Sequence, residues 1–429
     1  MSGTLALIVI GASVVGYGLV SSRIERTAIT PPMMFTFAGL LVGPLGLALA
    51  TPEIGHAAIH TLAEVTLMLV LFTDAARIDV RTLIRDHNVP VRLLGIGLPL
   101  TIVLGALVAT TLFPSFSIWE AAVLGVMLAP TDAALGHAVV SNPRVPVRIR
   151  QALNVESGLN DGLVLPVLLI CLALAGASGA SDGTMGWIRF AALQVTIGPA
   201  VGVAVGLVGG RLVDRAVSTG WMNDVFRDLS LIGLALLAFG ISEALGGNGF
   251  IAAFAAGLAL GAAVRDHCQG LYAFAEAEGQ LLTLLVFLVF GAVLLPEMSG
   301  LFSGSVLLYS LLSLSVIRIV PVWLSLLGLK LSWPTVAFVG WFGPRGLASI
   351  LFGLLIVERS AIMSTDLIFS IVVLTVLMSI VAHGLTAIPG AAWYARHADT
   401  MRDKPDTPEL QPTSEVPLRF GSIISNRDA

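Results

Sequence analysis

Charge is scarce in this chain. Only 12% of its 429 residues are Asp, Glu, Lys or Arg, about half the roughly 25% usual in soluble domains. That excludes an ordinary water-solvated globule. Cysteine is nearly absent: Cys171 and Cys268 stand far apart and give neither a disulfide framework nor metal-ligand spacing. No Walker loop, H-E-x-x-H, G-x-S-x-G or dinucleotide fingerprint occurs. ATP-driven transport and intramembrane hydrolysis therefore lack their parts, and neither an enzyme nor a resident cofactor is expected. A basic n-region before the first apolar run is also missing, so that run reads as a spanning helix and not as a cleaved signal. From His397 onward apolar residues thin out among Pro, Ser, Thr, Asp and Glu. Such a composition cannot bury a core, so 397–429 is expected to be a disordered cytoplasmic tail behind a transmembrane domain over 1–396.

What the chain has instead is apolar length: 56% of its residues are hydrophobic. At about 20 apolar residues per crossing, the sequence predicts an all-α polytopic membrane protein of about thirteen spans. They run near 4–22, 33–50, 57–76, 91–113, 118–141, 151–175, 187–213, 228–245, 249–265, 280–296, 304–329, 333–357 and 366–394. The net charge of −4 matters less than where the basic residues sit. With the N-terminus outside and the C-terminus inside, 19 of the 23 Lys and Arg fall in cytoplasmic loops and the tail, as the positive-inside rule requires.

The stretch from Gly125 to Pro166 breaks the apolar pattern. Pro130, Thr131 and Asp132 fall mid-span in the fifth segment, and Glu156, Ser157, Asn160 and Asp161 mid-span in the sixth. A charged side chain at the bilayer centre costs at least about 2.5–3.5 kcal/mol on insertion scales, so intramembrane acids mark ion or proton pathways by default. At about 100° per residue, the four polar residues of the sixth segment share an arc of roughly 140° and can face one cavity. Their oxygens are hard donors suited to hard cations. Only an ionisable group can exchange a metal cation for a proton at the same position, and Asp161 meets that need. The bland reading is a hydrogen-bonded cluster between helices, which seldom needs several carboxylates at that depth.

Two segments carry breaks: Ala129-Pro130-Thr131-Asp132 in the fifth and Gly343-Pro344-Arg345-Gly346 in the twelfth. An offset of seven spans forces opposite orientations, so helices 1–6 and 8–13 read as inverted repeats, with broken crossing helices 5 and 12. Transporters build ion sites where such broken helices meet. Arg345 and Arg318 also lie near mid-span and must be paired or hydrated. Against Asp132, Glu156 and Asp161 they leave one surplus negative charge, the amount one proton or one monovalent cation neutralises.

Thr131-Asp132, the E-S-x-x-N-D run from Glu156 to Asp161, and F-G-P-R-G from Phe342 to Gly346 resemble the monovalent cation/proton antiporters. The similarity is to the electroneutral, NhaP-like sodium/proton exchanger branch with an Asn-Asp pair, and it covers nearly all of 4–395. It implies that Asp161 is the ion- and proton-binding carboxylate, with Ser157 and Thr131 as further cation ligands and Asp132 and Asn160 completing the binding cluster. Asn160 would orient the neighbouring helix ends. Glu156 and Arg345 would form a structural ion pair beside the site. Many relatives follow the T-D with Pro, where this chain has Ala133. The resemblance also implies a homodimer in a plasma membrane (a bacterial inner membrane) serving pH homeostasis, with Na⁺, Li⁺ or K⁺ as cargo. No nucleic acid partner is expected.

A passive cation channel and an organic-ion, proton-coupled transporter are the competing readings. A channel should show a filter repeated around subunits, and an anionic substrate should seek arginines and helix N-termini, whereas this site has surplus acid. Asp74, at the cytoplasmic end of the third span, suits either an entry funnel or an ordinary solvated helix end. Gly198, Gly202, Gly206 and Gly210 recur every fourth residue, as a dimer seam or, more simply, as close packing within the bundle. His137 and His383 read as simple hydrogen-bonded histidines.

Overall fold

A computed structural model describes residues 3–24, 27–48, 56–78, 88–177, 183–263, 271–359, 364–401 and 407–411. Helices are the only regular structure among them. In chain order these are α1 (Gly3–Ile24), α2 (Pro31–Val42), α3 (His56–Ala76), α4 (Asn88–Arg92), α5 (Leu98–Leu112), α6 (Ile118–Met127), α7 (Ala133–Val140), α8 (Val147–Ala177) and α9 (Gly183–Ser218). They continue as α10 (Asp224–Ala244), α11 (Gly249–Ala263), α12 (Leu271–Val289), α13 (Leu295–Met298), α14 (Gly304–Leu314), α15 (Val316–Leu326), α16 (Trp333–Trp341), α17 (Leu347–Arg359) and α18 (Thr365–Met401). Among the described residues, eight helical stretches are long and apolar enough to cross a membrane. Several share one rod: α4 runs through a π-helical turn at Leu93–Gly97 into α5, and α12 through another at Phe290–Leu294 into α13.

Local chemistry sets the helix starts. Pro31 and Pro32 open α2 behind an N-cap Thr30, where a missing N–H costs nothing. Ser117 and Glu120 form a reciprocal capping box on α6, satisfying two otherwise orphaned donors. The glycine stripe of α9 turns inward. A Cβ on Gly202 would stand 2.2 Å from Ala252 O, and one on Gly206 2.3 Å from Ala256 O. Both oxygens belong to α11, so the stripe is the seam between α9 and α11 inside one chain. α11 presses its opposite side on α3 in the same way, with Gly257 against Phe72 O. Small residues let backbones touch where lipid offers no hydrophobic drive for helix association.

Two segments are interrupted. α6 and α7 are separated by Leu128–Asp132, and α16 and α17 by Phe342–Gly346. Leu124, Val126, Met127, Ile350, Phe352 and Ile371, which surround the crossing of these breaks, are wholly buried. One boundary differs from the sequence expectation. α18 extends to Met401, and Thr407–Gln411 returns to dock on the bundle with Glu409 only 2% exposed. Composition ruled out a separate core in this stretch. It could not show that a short piece finds its hydrogen bonds on helices already formed.

Candidate functional site

Where the two breaks cross, like ends of half-helices face one another. The starts of α7 and α17 each present unsatisfied N–H groups and partial positive charge. Asp132 serves both: Oδ1 accepts from Ala134 N at 2.7 Å and Oδ2 from Leu347 N at 2.6 Å. Its own N–H donates to Pro344 O at 2.8 Å, which stitches one break to the other. Gly346 is required by that closeness, since a Cβ there would lie 2.0 Å from Asp132 Oδ2.

The ends of α6 and α16 pose the opposite problem, bare carbonyls with partial negative charge. Arg345, wholly buried, donates through Nη1 to Ala129 O and to Pro130 O, the latter at 2.9 Å. Ser349 Oγ donates to Met127 O at 2.8 Å. On the other break, His383 Nε2 lies 2.9 Å from Trp341 O. A carbonyl only accepts, so this bond is made by the tautomer with its proton on Nε2, while Nδ1 lies 3.1 Å from the Ser379 carbonyl. The same imidazole meets Ser379 Oγ through Nδ1 at 3.1 Å, and Ser379 Oγ accepts from Arg345 N at 2.7 Å. Every end of the broken helices thus has a named partner.

α8 runs beside this crossing and carries the remaining polar residues. Asn160 Nδ2 donates to Thr131 Oγ1 at 2.7 Å, tying the helix to the break. Asn160 Oδ1 has no hydrogen-bond partner among the described residues. Ser157 Oγ donates back to Leu153 O at 3.0 Å, leaving its lone pairs as acceptors. Asp161, 5% exposed, lies four residues beyond Ser157, so both occupy one face of α8. Carboxylate, hydroxyl and amide oxygens of this kind fit a hard monovalent cation. Among the described residues no group of three or more His, Cys, Asp or Glu gathers as a site for a firmly bound metal.

Glu156 has a different partner from the one expected. It pairs with Arg318, not with Arg345, through two parallel bonds, Nη1 to Oε1 and Nη2 to Oε2, the second at 2.8 Å. The reason is that Arg345 is held by the carbonyls ending α6, which a charge count along the sequence does not see. Asp132, expected among the binding residues, has both oxygens engaged by helix starts and acts as a shared cap. Asp74 is buried in the last turn of α3. Just beyond it, Ile78 abuts Gly158 of α8, so this end of α3 rests on the helix that bears the site. Sequence reasoning missed Ser349 and Ser379. The signal for the latter was Ser379 and His383 four apart in an otherwise apolar run.

The family described as "Sodium/hydrogen exchanger, transmembrane" matches residues 9–393. A probable Na⁺/H⁺ antiporter of Schizosaccharomyces pombe is 26% identical over 247 residues, 55% of this chain and 32% of that protein. The K⁺/H⁺ antiporter NhaP2 of Shewanella baltica is 22% identical over 379 residues, 87% of this chain and 64% of its own. This chain therefore spans from about a third to just under two thirds of the length of these relatives. Among solved structures, the sodium proton antiporter MjNhaP1 of Methanocaldococcus jannaschii superposes with a TM-score of 0.72 at 21% identity. The overlap covers 90% of this chain and all of that one, so the fold is shared.

Proposed function

The chain belongs to the sodium/hydrogen exchanger family, and from that membership and the crossing of its broken helices we propose that it is a secondary antiporter exchanging a monovalent cation for a proton. The carrying observation is the bond from Asn160 to Thr131. It fixes beside the break the one helix whose face bears both Ser157 and Asp161. Asp161 is the group that holds either proton or cation. Ser157 and Thr131 supply hydroxyl oxygens to the cation, and the open Oδ1 of Asn160 is a further acceptor at hand.

The neighbouring charges at the crossing have partners of their own. Glu156 is compensated by Arg318, Asp132 by two helix starts, and Arg345 by carbonyl ends. One titratable carboxylate that takes either a proton or a monovalent cation corresponds to one-for-one, electroneutral exchange by alternating access. Na⁺ is the first cargo to test, with Li⁺ and K⁺ as alternatives, since the named relatives include both Na⁺/H⁺ and K⁺/H⁺ antiporters. The basic loops favour thirteen spans in a plasma membrane, N-terminus outside and C-terminus in the cytoplasm. A homodimer engaged in pH homeostasis completes the proposal.

Competition at one carboxylate has a direct test. In proteoliposomes, acidification should raise the apparent KM for Na⁺ while saturating Na⁺ restores the full rate, and the overall pH profile should be bell-shaped. An apparent KM that stays constant while the maximal rate falls with acid would place proton and cation on separate groups.

A further inference from the structure

Two helices near the site begin with an electrostatic deficit. α8 has no acidic residue in its first turn and carries Arg148 and Arg150 there, where the helix dipole is already positive. α16 likewise has no acid in its first turn, and its N-cap Ser332 makes no side-chain capping bond. Both deficits are met by one short stretch from far down the chain. Glu409 Oε1 accepts from Ser332 N at 2.7 Å and from Thr335 Oγ1 at 3.0 Å, which is an N-cap delivered in trans along the sequence. At the start of α8, Arg148 reaches the same stretch, where the charge of Glu409 acts against the effect of burial. It donates through Nη1 to Pro408 O and, at 2.7 Å, to Gln411 Oε1. α18 completes the seat: Tyr394 OH meets Thr335 Oγ1 at 2.9 Å, and His397 Nε2 meets Ser332 Oγ at 3.1 Å.

We propose that Thr407–Gln411 is a strap, with Glu409 a positioning residue, that holds the cytoplasmic starts of α8 and α16 in fixed register and thereby sets the geometry of the ion site. Both helices are stiff rods leading to it. Arg148 lies about 20 Å along α8 from Asp161, and α16 spans about 13 Å from Ser332 to the break, at about 1.5 Å per residue. Displacing either start displaces a wall of the site. The effect on transport rests on the exchange reading above, whereas docking and positioning do not.

The test uses the full chain with Glu409→Ala, Glu409→Gln and Arg148→Ala. Hydrogen exchange in detergent should be about tenfold faster in Glu409→Ala over 332–336 and 407–411, and measurably faster at the break, 342–347. Glu409→Gln, which keeps the acceptor and loses the charge, should fall between wild type and Glu409→Ala. In proteoliposomes the apparent KM for Na⁺ should rise about tenfold in Glu409→Ala and in Arg148→Ala, the equivalent of one charge-assisted contact, with the maximal rate changing much less. Unchanged protection at 332–336 and 407–411 in Glu409→Ala would refute docking. Lost protection there with the break and the KM unchanged would refute positioning. If Asp161→Asn transported like wild type, the exchange reading would fail while the exchange rates at 332–336 and 342–347 still judged the strap.

Discussion

Asp132 and Arg345 divide the electrostatics of the crossing between them, one facing two helix starts and the other facing carbonyl ends. That division predicts which pairs of substitutions compensate. Removing one partner of a buried ion pair leaves an unmet charge and costs about 3–5 kcal/mol. Glu156→Gln and Arg318→Gln should each lower the melting temperature in detergent markedly, and the double variant should recover much of the loss. Glu156→Gln combined with Arg345→Gln should not recover; recovery there would restore the pairing expected from sequence. At Gly346, an added methyl meets Asp132 Oδ2. Gly346→Ala should therefore destabilise by about 1–3 kcal/mol, the usual range for overpacking. A melt unchanged by that methyl would mean the two breaks lie further apart than described. The residue types of the site were legible: acids and arginines in mid-span are too costly to be accidental. Their partners were not. Arg318 and Arg345 both lie in mid-span, and only the fold shows that one of them faces bare carbonyls.

Each broken element depends on caps that come from elsewhere in the chain. α16 ends on Trp341 O, which His383 of α18 satisfies while its ring lies against Trp341 with centroids 5.1 Å apart. His383→Phe keeps an aromatic ring and removes the donor. Trp341 O also accepts from Gly343 N at 2.9 Å, so His383→Phe loses one of two bonds to it, about 0.5–1.5 kcal/mol. Thermal melts should shift down accordingly, and a side-chain amide in His383→Gln should give back part of the loss. Equal melts for all three proteins would show that the bond from Gly343 N alone satisfies Trp341 O. Both interruptions were readable, because Pro130 and Gly343-Pro344 cannot continue a regular helix in their local settings. The π-helical turns at Leu93–Gly97 and Phe290–Leu294 were not, since their apolar sequence suits an α-helix equally well. The docked strap escaped for another reason: a five-residue stretch has no periodicity, and its stabilising partners lie about 75 residues and more away in sequence.

Across the whole molecule, the clustering of Arg144, Arg148 and Arg150 predicts a cytoplasmic start for α8. A single cysteine at position 147, with Cys171 and Cys268 replaced, should resist membrane-impermeant reagent in intact cells and react in inverted vesicles. Labelling from outside would reverse the topology. The proposed exchange of proton for cation at Asp161 is read out by cation-driven proton flux in proteoliposomes with the membrane potential clamped first at zero and then at a negative value. Wild type should show flux that is the same at both potentials. Asp161→Asn, of nearly the same shape but unable to titrate, should show none while keeping its melting behaviour close to wild type. Flux through Asp161→Asn at the wild-type rate would contradict the assignment of this carboxylate, and strong voltage dependence in wild type would contradict one-for-one exchange.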